Sequence, residues 1–337
     1  MNKFNCPSHS RRAVMALLLA VILAAAGCRQ KAEQETRIDP IKLTLAVEPA
    51  PFSGLIAVAY EKGFFKQAGL DVTIKLYPSG LESLEAMLRG EADIATAADI
   101  AFASLMSKDP SLRVVASIGL TVGNQIVARK DRNIREPSDL KGKTIGYSPN
   151  TVSDYFLYAF LLTNHLSSSD ITPVAIPPAR QVEVVVTGEV DAISAFEIYA
   201  FVAGEQLGEN AVLWDTQNNV AYQWLLATRE STTKSPEAIK RLLKALMTAE
   251  DFTLTNGDET KSIISKKWAF SPAYISQSWA QTRLDVSFSQ SIIASLKNYA
   301  KWKMDREGKT GDPPDVLNFL YTDALEEINP RLVTIFR

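Results

Sequence analysis

From Ile41 to Arg229 the sequence alternates short β-rich runs with helix-length amphipathic runs, and that alternation leaves few architectures open. Successive strand-helix units build a mostly parallel sheet with helices laid over its faces. The pattern predicts strands at Lys42–Val47, Asp71–Tyr77, Asp93–Ala97, Leu112–Ile118 and Gln125–Arg129, then at Thr144–Tyr147, Thr172–Ile176, Ala192–Phe196, Ala211–Trp214 and Trp224–Arg229. It predicts helices at Ser53–Ala68, Gly80–Arg89, Asp99–Ser107, Thr151–Asn164, Arg180–Thr187 and Glu197–Leu207. After Arg229 the period changes: Pro236–Thr255, Asp258–Ala269, Pro272–Val286, Gln290–Arg306 and Pro314–Ile328 read as helices without strands between them. Ser235-Pro236-Glu237 opens the first of these, with proline at an early position that needs no N–H donor.

The runs Gln125–Arg129 and Trp224–Arg229 bracket a self-contained block of strand-helix units. Two such crossings make the block a second lobe inserted into the first, with ends that flex around a cleft. The alternative is one large sheet. The reading adopted is an α/β chain of two lobes joined by two crossing strands, with a helical C-terminal portion. Residues 41–125 and 226–337 form the first lobe and 126–225 the second.

At the N-terminus Lys3, Arg11 and Arg12 precede an apolar run from Ala13 to Ala26, which ends at Gly27-Cys28. Fourteen apolar residues fall short of the roughly 20 that cross a bilayer, so residues 1–27 read as a signal peptide and not as a span. Small residues before a cysteine resemble a lipobox, which makes Cys28 the expected lipidation site; Ala25 stands where leucine is usual. The alternative is an ordinary cleaved signal with a chance cysteine. Polar residues 28–40 then read as a tether, and the chain is expected to be exported, facing the periplasm or cell exterior, with the lipid as its only membrane link.

Removing residues 1–27 takes three of the 36 basic side chains and none of the 38 acidic ones, leaving a net charge of about −5 and no basic excess to suggest nucleic acid. Cys28 becomes the only cysteine and His165 the only histidine. A disulfide is excluded, and a Cys/His metal site or a histidine-based catalytic triad has almost no material. No metal, no cofactor and no catalytic residue is expected, and the chain is expected to be monomeric.

Ligand sites in such architectures form where strand ends meet helix starts, because the N–H groups there are unpaired and the helix dipole adds positive charge. Four turns qualify. Glu48-Pro49-Ala50-Pro51 leads into Phe52, Ser53 and Gly54; Pro78-Ser79 leads into Gly80 and Leu81; Thr96 leads into Ala97, Ala98 and Asp99; Ser148-Pro149 leads into Asn150, Thr151, Val152 and Ser153. Phe196, Glu197 and Tyr199 follow a later strand, and Tyr222 and Trp224 flank the return crossing. Plain helix capping competes at each of the four turns, and core packing competes for Trp224.

Tyr60-Glu61-Lys62-Gly63-Phe64-Phe65 with Ala68-Gly69-Leu70-Asp71-Val72, then Gly90-Glu91-Ala92-Asp93, Leu140-Lys141-Gly142-Lys143 and Gly188-Glu189-Val190-Asp191-Ala192, resemble the signatures of the sulfonate, nitrate, taurine and thiamine-precursor group of periplasmic binding proteins. The resemblance implies a type II periplasmic-binding-protein fold, capture of a small molecule between the lobes, delivery to an ABC transporter permease, and ligand contacts from the loops around Ser53, Gly80, Ala98, Ser153 and Phe196. Gly63 and Gly69 serve the fold, as a left-handed helix cap and a turn into the next strand. Ile198 stands where relatives often have proline, and Arg180-Gln181 where small residues are common, so a departure in pocket shape is expected. Enzymes of thiamine-pyrimidine and menaquinone biosynthesis share the fold and are the alternative, with an input to a membrane signalling partner as a third. Hydroxyls at Ser53, Thr151 and Ser153 suit an oxyanion such as a sulfonate. Phe52, Tyr155, Phe196, Tyr199 and Tyr222 suit a flat heterocycle such as a pyrimidine. With Glu197 nearby and no Arg or Lys in these loops, the organic ligand is favoured.

Overall fold

The computed structural model describes residues 39–217 and 220–336; the expected signal peptide, Cys28 and most of the tether lie outside the described residues. Two main sheets organise the rest. The first contains β1 (Ile41–Val47), β2 (Leu70–Leu76), β3 (Ile94–Ala98) and β4 (Leu112–Thr121). The second contains β5 (Gln125–Arg129), β6 (Thr144–Tyr147), β7 (Thr172–Ala175), β8 (Ala192–Ala195) and β9 (Ala211–Asp215). The chain then returns to the first sheet with β10 (Tyr222–Arg229) and later adds β11 (Thr282–Arg283) at its edge. The strand orders are β11-β4-β10-β3-β1-β2 and β7-β6-β8-β5-β9.

Each sheet is more mixed than the alternation predicts. β1 runs parallel to β2 and β3, and β6 parallel to β7 and β8. β10 is antiparallel to β3 and β4, and β5 antiparallel to β8 and β9. The cause is the path: β5 and β10 are the first strands after the chain passes from one sheet to the other, and a chain entering from the far end runs against its new neighbours.

β3 shows why these residues form a central strand. Ile94, Ala95, Thr96, Ala97 and Ala98 are all buried, since helices cover both faces and the alanines let those helices approach closely. The helix Asp99–Met106 that follows is buried at every position. One large core joins Leu45, Ile56, Leu84, Phe102, Leu226 and Leu246, and two smaller clusters flank the second sheet.

The run expected as one helix over Ser53–Ala68 breaks into Gly54–Glu61 and Phe64–Gln67, because Gly63 adopts a left-handed φ of 73°. Phe65 is buried there, and Phe64 meets Phe252 edge-on at 6.3 Å. The C-terminal portion is helical, with Pro236–Thr255 and Gln290–Arg306 as its long members, but three short strands interrupt it. Pro272–Trp279 stops before β11, and β12 (Phe288–Ser289) pairs with β13 (Val333–Thr334). The run expected as a helix over Pro314–Ile328 splits into the turn Val316–Phe319 and the helix Asp323–Ile328.

Candidate functional site

A small cavity lies where the carboxyl ends of β1, β3 and β8 meet the helix starts that follow them. Glu48, just past β1, and Ser79, Gly80 and Leu81, past β2, line it from the first sheet. Thr151, Val152 and Phe196 line it from the second, and Tyr222 and Trp224 from β10. It encloses about 20 Å³, room for a single water-sized group.

The helix starts are built by local chemistry. Ser79 Oγ accepts from Glu82 N at 3.2 Å and caps the helix Gly80–Leu88, and Thr151 Oγ1 accepts from Ser153 N at 3.2 Å to cap Val152–Thr163. Gly80 is required for close approach: a Cβ there would come 2.7 Å from Ala97 Cα and 3.2 Å from the Trp224 ring.

Two carboxylates dominate the electrostatics. Glu48 is 8% exposed and its Oε2 accepts from Gly80 N at 2.5 Å. Burial raises its pKa well above the usual carboxylate range, with the Gly80 bond opposing and the Glu197 charge adding to the rise. Glu197 opens the helix Glu197–Leu207 and accepts from Thr121 Oγ1 at 2.6 Å; burial raises its pKa to about 7, against that bond. Burial likewise raises Asp99 to about 7 although Gln223 N donates to it at 3.1 Å. Among the described residues that line the cavity there is no Arg or Lys.

Of the residues expected at the site, Gly80, Leu81, Ala98, Thr151, Val152, Phe196 and Tyr222 line this cavity, as does Trp224. Others sit beneath it. Phe52 is buried, with its ring 4.5 Å from Trp224 and 5.9 Å from Tyr222. Ser53 Oγ donates to Glu48 O and accepts from Trp224 Nε1, both at 2.9 Å, so it braces the wall. Ser153 Oγ accepts from Ser148 N and donates to Ser194 O, tying a helix start to β8. Gly54 faces Ile264 and Leu284, Ala97 backs Gly80, and Glu197 reaches Gly123.

Asn150 and Tyr199 belong to neighbouring concavities. Asn150, at a left-handed φ of 61°, lies with Tyr147, Asp154, Trp302, Lys303 and Arg306. Tyr199 lines a groove with Leu76, Tyr77, Trp268 and Phe270, and its hydroxyl donates to Pro78 O at 3.2 Å. Tyr155 packs on Tyr299 and Trp302. Sequence reasoning placed Glu48 and Ser79 in the candidate turns without picking them as ligand contacts, and passed over Ala101. The prolines at 49 and 51, which restrict the loop after β1, were the one local signal beside Glu48.

Among the described residues no helix is long and apolar enough to cross a membrane, and no group of three or more His, Cys, Asp or Glu is placed to hold a metal.

Two mixed sheets with an acidic, aromatic cavity where their strand ends meet make up the type II periplasmic-binding-protein fold. The chain belongs to the NMT1/THI5-like family, whose model matches residues 51–260. A putative binding protein of Brucella abortus is 24% identical over 220 residues, covering 64% of this chain and 67% of that protein. The formylaminopyrimidine-binding protein of Halalkalibacterium halodurans is 25% identical over 144 residues, 43% of this chain and 44% of that protein. The alkanesulfonate-binding protein of Xanthomonas axonopodis pv. citri, solved with MOPS bound, superposes with a TM-score of 0.72 at 17% identity, covering 84% of this chain and 99% of that one.

Proposed function

We propose that the protein is an exported lipoprotein, anchored through Cys28, that captures a small nitrogen heterocycle between lobes 41–125 with 226–337 and 126–225, and delivers it to an ABC importer without chemical change. Its function is binding and closure, which needs no catalytic group. A dissociation constant of about 1 μM corresponds to about −8 kcal/mol, within reach of a few hydrogen bonds and one aromatic contact.

The observation that carries the ligand class is the bond from Gly80 N to Glu48 Oε2. A sulfonate or nitrate would seek the free N–H groups of that helix start, and the protein's own carboxylate already takes one. Glu48 offers a carboxyl oxygen to an amino group of a heterocycle, while Phe196, Tyr222 and Trp224 supply flat apolar walls. The binding of a formylaminopyrimidine by one relative supports the same class.

Isothermal titration of the purified protein with 4-aminopyrimidine, ethanesulfonate and nitrate tests this. The heterocycle is expected to bind, the two anions to give no heat, and Glu48→Gln to weaken the heterocycle at least tenfold. Ethanesulfonate binding with a silent heterocycle would reverse the assignment. For the anchor, Cys28→Ala is expected to move the protein from the membrane fraction to the soluble one.

A further inference from the structure

Where β4 leaves the first sheet and β5 joins the second, the chain passes out of one ladder before it enters the next, and its buried peptide groups must still be paired. Side chains from the other crossing, between β9 and β10, meet that demand. Gln217 Oε1 accepts from Asn124 N at 2.7 Å, while Gln217 Nε2 donates to Thr121 O at 3.4 Å and to Val220 O at 2.8 Å. Thr216 donates to Asn124 O from its N, at 3.3 Å, and from its Oγ1, at 2.9 Å. One amide thus grips the first crossing on both sides of Gly123, at Thr121 before it and at Asn124 after it.

Two hydrogen-bonded paths leave this clasp. Asn124 Nδ2 donates to Ser194 Oγ at 3.3 Å, Ser194 Oγ donates to Ser153 O at 2.8 Å, and Ser153 Oγ donates back to Ser194 O at 2.6 Å. Ser153 sits at the start of the helix Val152–Thr163, where its N donates to Thr151 Oγ1, and Thr151 lines the central cavity. The other path runs through Thr121, whose Oγ1 donates to Glu197 Oε1 at 2.6 Å. Thr121, Asn124, Ser153, Ser194, Thr216 and Gln217 are none of them more than 3% exposed, so a bond lost among them is not made good by bulk water.

We propose that Gln217 is a positioning residue for the binding site: its amide fixes the first crossing and, through Asn124 and Ser194, holds the helix start at Thr151, so that the hinge and the second-sheet wall of the cavity shift together. This rests on reading the cavity as a ligand site between two lobes. The amide is planar and of fixed span, so a turn of the chain about Gly123 takes Thr121 O and Asn124 N out of its joint reach. The 3.4 Å bond, already longer than the usual range of about 2.7–3.2 Å, yields first.

Amide hydrogen exchange of the full protein without added ligand, read residue by residue by NMR, tests this. Ser148 N donates to Ser153 Oγ at 2.9 Å and reports on the helix start; Leu243, buried in the helix Pro236–Thr255, reports on the fold at large. Gln217→Met keeps the length and removes both amide groups, and is expected to speed exchange at Asn124 and Ser148 at least tenfold relative to Leu243. Gln217→Glu, which keeps an acceptor for Asn124 N, is expected to give a smaller rise and serves as the milder variant if Gln217→Met does not fold. Ser194→Ala cuts the path: it is expected to speed Ser148 while Asn124 stays protected, and adding Gln217→Met to it should speed Ser148 no further. Unchanged exchange at Ser148 in the Gln217 variants would overturn the proposal, as would an equal rise at all three amides or effects on Ser148 that multiply in the double variant. No ligand enters the measurement, so a failure of 4-aminopyrimidine to bind removes the heterocycle reading and leaves this one to be decided by exchange.

Discussion

Thr121 Oγ1 donates to Glu197 Oε1 across 2.6 Å, joining the last residue of β4 in one sheet to the first residue of the helix that leaves β8 in the other. The bond bridges the two sheets at the cleft. It also fixes a buried carboxyl whose protonation is tied to folding.

Glu197 has its pKa raised by burial from 4.5 to about 7, so between those values the folded protein holds a proton that the unfolded chain releases. Its contribution to stability is full below pH 4.5 and is lost as pH rises through about 7, by on the order of 3 kcal/mol at most. Asp99 moves from 3.8 to about 7 and acts in the same direction. The melting temperature is therefore expected to fall as pH rises from about 4.5 to 7, and Glu197→Gln to flatten that slope while Asp99 keeps part of it. Identical slopes in the two proteins would show that burial does not raise the Glu197 carboxyl.

Gly123 lies in the first crossing, where a Cβ would come 1.8 Å from Glu197 Cγ. Gly123→Ala is thus expected to expel the Glu197 side chain and break the bridge. Small-angle scattering should report a larger radius of gyration than for the natural protein, and affinity for 4-aminopyrimidine should drop at least tenfold. An unchanged scattering profile would mean that the sheets stay together without this contact.

The Trp224 indole donates to Ser53 Oγ at 2.9 Å in the wall beneath the cavity. Ser53→Ala leaves a buried donor without its acceptor and is expected to cost about 1–3 kcal/mol. Urea denaturation followed by tryptophan emission measures it. Ser53→Thr, which keeps an acceptor, is expected to recover part of the loss, and equal losses in both variants would make shape the cause and not the bond.

Arg306 pairs with Asp154 and lies over the Tyr158 ring, its Cζ 3.9 Å from the centroid. Asp154 is on the helix Val152–Thr163 that follows β6, while Arg306 ends Gln290–Arg306, so the contact latches the C-terminal helices to the neighbourhood of the second sheet. Asp154 is buried and the guanidinium about a third exposed, so Arg306→Met should destabilise by about 1–3 kcal/mol by stranding a carboxylate. Adding Asp154→Asn should return most of this in the urea midpoint. Simple addition of the two effects would deny the pairing.

The strands were legible because each has a clear pattern and a turn at both ends. Gln125–Arg129 and Thr144–Tyr147 agree to the residue with expectation, as do the helices Glu197–Leu207, Pro236–Thr255 and Gln290–Arg306. β11 to β13 were not, since two residues carry no period and their pairing depends on partners far away in sequence. At the site, sequence pattern located the turns but not which side chain of each turns inward. Phe52 and Ser53 read as ligand contacts and brace the wall instead, while Glu48, earlier in the same loop, lines the cavity and accepts from Gly80 N. That distinction arises from tertiary packing, which no local spacing encodes.

The position of β10 governs the order in which the molecule can be assembled. β4 joins the first sheet only through β10, which slots between it and β3. A chain emerging from the ribosome or a translocon has therefore made β1 to β4 long before Tyr222–Arg229 arrives to link them, whereas β5 to β9 are contiguous and can pair as soon as they appear. The part begun second is completed first, and the early strands wait with an open seam, the stage at which an unpaired strand edge is most exposed to aggregation.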